Sequence, residues 1–251
     1  MLQPNPKAHY HFLPGTDPYC CGVVANPGYE IVHVTLRNPL PWRQSFEAVD
    51  AYLRREGRER IDLCGMQLRS PKPFTMNGFA EFNRGYCEVL KEWDLYVGDL
   101  NPIARTNVAP LEDPPTEPVL HAFSYTMPNE SVKARTFVVA GAGELSGETL
   151  DSKSIVRFGE TNREAMKEKA ERVVEIMLER FEGLGVDWKM LNQIDVYTIH
   201  PIDEIVSEIL LPKLRSAPRR GVHWYPSRPP VVDIEFEMDM RGIERELLIE
   251  L

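Results

Sequence analysis

An arginine followed nine residues later by a double proline, and then by a strand-like segment, occurs twice in this chain. The first occurrence is Arg105, Pro114-Pro115 and the apolar run Val119-Leu120-His121-Ala122-Phe123. The second is Arg220, Pro229-Pro230 and Val231-Val232-Asp233-Ile234-Glu235-Phe236-Glu237. Fifteen residues after the arginine stands Leu120 in the first and Glu235 in the second. A guanidinium pairs bidentately with a carboxylate through its planar fork, and a glutamate can carry protons to and from a reacting group. Two arginines but one acid point to one working site and one altered site, both suited to a small carboxylate.

Glu235 lies on a segment whose two faces differ. Val232, Ile234, Phe236 and Met238 alternate with Asp233, Glu235, Glu237 and Asp239, so strand geometry puts the apolar set on one face and the acids on the other. The acidic face is either solvated or covered by a neighbouring subunit. Covered, its carboxyls rise in pKa and suit acid–base work, with Glu235 the first candidate and Glu237 the second. Gly141 closes a strand at the turn Gly141-Ala142-Gly143, and Glu144 follows it into the same cleft. His200 and His223 are further candidates, and Tyr19 with Arg105 would complete a site from the first half. His9 and His11 have metal-like spacing without a third ligand, so no metal is expected. Cys20 has no assignable base and reads as a small buried residue. The glycine turn lacks the spacing of a phosphate-binding loop.

The elements that must position these groups recur in the same order in both halves. In the second half Thr136–Ala140 reads as a strand. Thr161 to Glu164 has capping-box spacing before a long amphipathic helix that Gly183 and Gly185 stop. Gln193–Ile199 is a strand, Pro201 to Leu211 a second helix, and Arg220–Met240 the closing strands. In the first half Glu30–Leu36, Ser45–Glu56, Ile61–Leu68 and Phe79–Trp93 read as strand, helix, strand and helix. The run 119–127 either closes the first sheet or opens the second. The expected architecture is α+β, with two domains, 1–127 and 128–251, each a sheet covered on one face by two helices.

With 251 residues, 43% hydrophobic and 27% charged, the chain has material for a packed core. A net charge of −9 argues against nucleic acid as partner; the basic run from Lys213 to Arg220 is short and local. The four cysteines lack zinc spacing and read as reduced thiols. No stretch has the length of a signal or membrane segment, so a soluble cytoplasmic protein without membrane contact is expected.

In these features the chain resembles the RidA (YjgF) superfamily. The residues that carry the likeness are Asp17-Pro18-Tyr19-Cys20, Phe79-Ala80-Glu81-Phe82-Asn83 and Ala104-Arg105-Thr106 in the first half. In the second they are Val139-Ala140-Gly141, Pro218-Arg219-Arg220 and Ile234-Glu235-Phe236-Glu237. The resemblance implies two tandem chorismate-mutase-like domains, a homotrimer with sites between subunits, and hydrolysis of an enamine or imine without metal or organic cofactor. It assigns Arg220 to the substrate carboxylate, Glu235 to the water or proton, and Gly141 to a backbone contact. Glu144 and His200 join Glu235 as catalytic candidates; Arg105, Tyr19 and His223 join Arg220 in binding. The chain departs from the family at Thr35 and Leu120, where the first half lacks the glycine and the acid. Several arginines favour a dicarboxylate, specifically 2-aminomuconate. A chorismatase-like enzyme and a non-catalytic metabolite binder are the alternatives.

Overall fold

The computed structural model describes residues 1–147, 150–214 and 217–251; positions 215 and 216 of the basic run lie outside them. Strands β1 (Gln3–Pro4), β2 (Tyr10–Leu13), β3 (Gly22–Ala25) and β4 (Tyr29–Pro41) lead into helix α1 (Trp42–Arg55). Then come β5 (Leu63–Arg69), α2 (Met76–Glu92), β6 (Ala104–Pro110), β7 (Val119–Pro128) and β8 (Phe137–Gly143). Helix α3 (Arg163–Leu184) and β9 (Gln193–Tyr197) follow. After them α4 (Asp203–Ile205) runs through a π-helical turn, Val206–Leu210, into α5 (Leu211–Lys213). The chain ends with β10 (His223–Tyr225), β11 (Ser227–Arg228), β12 (Glu237–Gly242) and β13 (Arg245–Ile249).

These strands form two sheets. One has the order β1-β2-β3-β8-β12-β9-β10, the other β11-β6-β5-β7-β4-β13. Within them, the runs β8-β12-β9-β10 and β4-β7-β5-β6 match in order, and in each the last pair is parallel. Strand β7, left open between the halves by sequence, pairs with β4 and β5. Strands cross between the halves. The N-terminal β3 pairs with β8, and the C-terminal β13 pairs with β4.

Helix faces explain the layering. Phe46, Val49 and Leu53 of α1 and Tyr86, Val89 and Leu90 of α2 pack on β4, β5 and β7. Met166, Val173, Val174, Met177 and Phe181 of α3, with Ile205, Ile209 and Leu210, pack on β8, β9 and β12. Between the sheets lies a third cluster, including Tyr10, Phe12, Val23, Ile31 and Ala140. The result is helix, sheet, sheet, helix. Burying each large apolar side chain in these layers contributes roughly 1.5–3 kcal/mol.

The capping residue of α3 is Asn162, whose side chain accepts the Ala165 N–H at 3.0 Å, one position after the expected Thr161. A larger difference concerns the last expected strand. Residues 229–236 are irregular, Asp233 takes the left-handed conformation at φ 71°, and β12 begins only at Glu237. Pro229 and Pro230 bring no N–H to a ladder. Val232, expected beneath the helices, is exposed. Phe236, Met238 and Met240 do face α3 as the alternation requires.

Helix α3 ends at Gly185, in the left-handed region at φ 63° with open space around its missing side chain. Gly185→Ala should therefore cost only the backbone penalty, about 1–2 kcal/mol, read as a lower urea midpoint at an unchanged slope.

Candidate active site

Where the two sheets meet, Glu237, Asp239 and Arg241 project from β12 and all three are buried. Of the expected acidic face Glu237 and Asp239 are covered, by the other sheet of the same chain, while Asp233 is exposed. Asp239 accepts hydrogen bonds from Thr106 (2.7 Å) and Gln67 (3.2 Å) across the gap and from Tyr197 (3.1 Å) on its own sheet. Arg241 reaches Asp195 at 2.6 Å. Glu237 instead lines a cavity of about 230 Å³. Burial pushes its carboxyl up to about 8, with Asp239 and Glu144 repelling its charge against the pull of Arg180 and Arg105. At neutral pH it holds its proton.

Gly141 makes room for that carboxyl. Strand β8 carries an extra residue opposite β12 between Val139 and Ala142, a bulge of the kind found beside active sites. A side chain at Gly141 would collide with Glu237 Oε1 and crowd Thr106. Arg180 donates to the carbonyls of Ala140 (2.9 Å) and Gly141 (3.0 Å) and holds the bulge in place.

Arg105 lines the same cavity from β6. Its neighbour Thr106 faces the opposite sheet, so Arg105 and Asn107 face α2. The guanidinium is buried against the rings of Tyr19 (5.1 Å), Phe79 (5.6 Å) and Tyr86 (4.8 Å), contacts that favour a cation. Nη2 donates to Asn83 at 2.7 Å. Nη1 is buried and has no hydrogen-bond partner among the described residues. Burial lowers the arginine's pKa; a bound carboxylate would counter that and satisfy Nη1. Tyr19, Arg105 and Gly141 thus line one cavity with Glu237, the second-ranked acid, whereas the sequence placed Tyr19 and Arg105 in a first-half site and Gly141 with Arg220 and Glu235. Asn83 and Asn107 were not singled out by sequence. Asn83 lies in the quoted Phe79–Asn83 segment, four residues after Phe79, the helical spacing that puts both on one face of α2.

The other candidates lie elsewhere. Arg220 is exposed and donates to the carbonyls of Lys189 and Leu191 (both 2.9 Å), because it precedes the edge strand β10 and not an inner one. Glu235, off the strand, is half-buried and paired with His200 Nε2 at 2.9 Å and Arg228 at 3.4 Å. The His200 hydrogen bond holds its carboxyl below the usual range. His223 contacts Gln193 and lies 3.6 Å from Asp195 at the sheet edge. His9 stacks on Tyr29, and Cys20 is buried with its thiol pushed up by that burial. Glu144 is fully buried, 3.0 Å from Lys169 Nζ, and accepts the N–H groups of Glu235 (2.7 Å) and Phe236 (3.0 Å). It fastens the irregular segment that delivers Glu237.

A cavity with an open guanidinium donor beside a protonated carboxyl can receive a carboxylate and exchange a proton with it. The chain belongs to the family described as 2-aminomuconate deaminase CnbZ, which it matches over residues 2–247. It is 39% identical over 242 residues to the 2-amino-5-chloromuconate deaminase of Comamonas testosteroni, covering 96% of each chain. Family and relative carry the activity expected from the sequence, an enzyme that deaminates an aminomuconate. Among solved structures it is similar to a chorismatase (TM-score 0.48, 12% identity, 88% of this chain and 77% of that one). A putative endoribonuclease of Thermotoga maritima also matches (TM-score 0.27, 17% identity, 44% of this chain and 80% of that one).

Removing one member of the buried pair under Glu237 should be costly. Lys169→Met leaves the Glu144 charge uncompensated and should destabilise the protein by about 3–5 kcal/mol, measured by chemical denaturation.

Proposed function

We propose that the cavity lined by α2, β6, β8 and β12 hydrolyses 2-aminomuconate or a close derivative to the 2-oxo diacid and ammonia. The observation that carries this reading is the Arg105 donor, buried and open, in one cavity with a glutamate whose proton stays on at neutral pH. Arg105 holds the carboxylate next to the amino group. Protonated Glu237 gives its proton to the enamine carbon chain, and the C=C–NH₂ unit becomes an imine. The resulting carboxylate then takes a proton from water as its oxygen bonds to C2. The hydroxyl proton of that adduct passes to the nitrogen, the C2–N bond breaks as C2=O forms, and nitrogen leaves as ammonia. Overall the substrate gains one water and loses one ammonia, with Glu237 returned to its protonated form. A substrate carboxylate bound nearby raises the cost of ionising Glu237 further, which favours the donating form before protonation.

The finer features of the resemblance fit this reading. The matching strand orders support two RidA-like, chorismate-mutase-like halves, and the site draws Arg105 from one and Gly141 with Glu237 from the other.

Purified protein incubated with 2-aminomuconate should release one ammonia per substrate consumed; no ammonia would end the proposal. Glu237→Gln should keep the fold by circular dichroism and lose roughly 10²–10⁴-fold in kcat. The sign of the pH dependence follows from the raised pKa. The proton is present below about 8 and lost above it, so kcat/KM should be flat well below that value and fall tenfold per pH unit well above it. A profile that instead rises through that range would remove Glu237 as the acid.

A further inference from the structure

Asn107 is a second group in this cavity that the mechanism above leaves idle. Its side chain is buried and lines the cavity with Arg105. Ser70 Oγ donates to its Oδ1 at 3.0 Å, and its Nδ2 is buried without a hydrogen-bond partner among the described residues. Buried polar groups normally find partners, so two unanswered donors in one cavity, Arg105 Nη1 and Asn107 Nδ2, describe the shape of what is missing. Both stand on β6 two residues apart, on one face. That separation is roughly 6.6 Å along a strand, comparable with the distance between the carboxyl carbons of an extended six-carbon diacid. The walls nearby are apolar, with Leu145, Val231 and Ile234, which suits a hydrocarbon chain running between the two ends.

We propose that Asn107 Nδ2 holds the distal carboxylate of the substrate, so that the cavity selects linear unsaturated dicarboxylates over monocarboxylates. The inference rests on the deaminase reading of this cavity. An amide suits the task because it donates to the second carboxylate without adding a second buried cation beside Arg105. Arg105 is the cationic member of the pair and shares the cavity with Glu237, so the amino-bearing end is placed at Arg105 and the far end at Asn107.

Two dienoic acids differing at one end separate the roles. trans,trans-Muconate carries both carboxylates; sorbate has a methyl group in place of the second. Calorimetric titration should show the unaltered protein binding muconate more tightly than sorbate. In Asn107→Ala, muconate should weaken by about 10- to 100-fold, the range for a lost hydrogen bond to a charged group, while sorbate stays unchanged. Asn107→Asp keeps the size and the Ser70 partner, and its charge should weaken muconate more than sorbate. Equal losses for both ligands, or an alanine variant that keeps the preference for muconate, would overturn the assignment, as would no preference in the unaltered protein. Ammonia release from 2-aminomuconate by the unaltered protein keeps the two ideas apart. If it occurs while the variants keep their preference, the Asn107 role alone fails; if it does not occur, the underlying reading fails.

Discussion

Packing of the two sheets against each other turns the charged face of β12 into an interior. An acid in water is ionised at neutral pH, whereas one in a closed gap beside other acids keeps its proton. Glu237 and Asp239 occupy adjacent places on that face, and the difference between them is instructive. Asp239 is saturated by Thr106, Gln67 and Tyr197, and serves to join the sheets. Glu237 opens on the cavity and is left free to exchange its proton.

The opposite wall sets the other half of the chemistry. A buried guanidinium is expensive, and here it is held among three aromatic rings and one asparagine, with one nitrogen left over. Glu144 and Lys169 contribute from below by tying down the irregular segment before β12. That tie acts with the Thr198 hydroxyl on the Glu235 carbonyl and the Phe74 backbone on Pro230 and Val232 to fix where the strand begins. The glycine bulge of β8 supplies the remaining condition, space for a carboxyl between two close backbones.

Much of this was legible in the chain itself. Helical periodicity located α1, α2 and α3, and alternation assigned Phe236 and Met238 correctly, while Val232 and Ile234 of the same set lie away from α3. Arg105 and Gly141 stood out through spacing and turn chemistry. The choice between Glu235 and Glu237 did not follow from pattern, because both lie on one face of an ideal strand. It is decided by where the strand starts, and that depends on two prolines, a left-handed Asp233 and a buried glutamate 91 residues earlier. Arg220 repeats the local pattern of Arg105 but not its surroundings. One precedes an edge strand, the other begins a strand flanked on both sides. Asn107 carries no signal of its own, since its meaning comes from Ser70 and from the cavity it faces.

The crossing of strands between halves has a consequence for how the molecule comes into being. Gly22 pairs with Val139, and Arg245 with Val32, so β3 and β4 wait for partners far downstream. The first half's sheet gains the strand β13 only after the second half has been made. Chains dominated by such distant pairings fold slowly. Neither half can finish alone, and the cavity between them exists only once the whole chain has closed on itself.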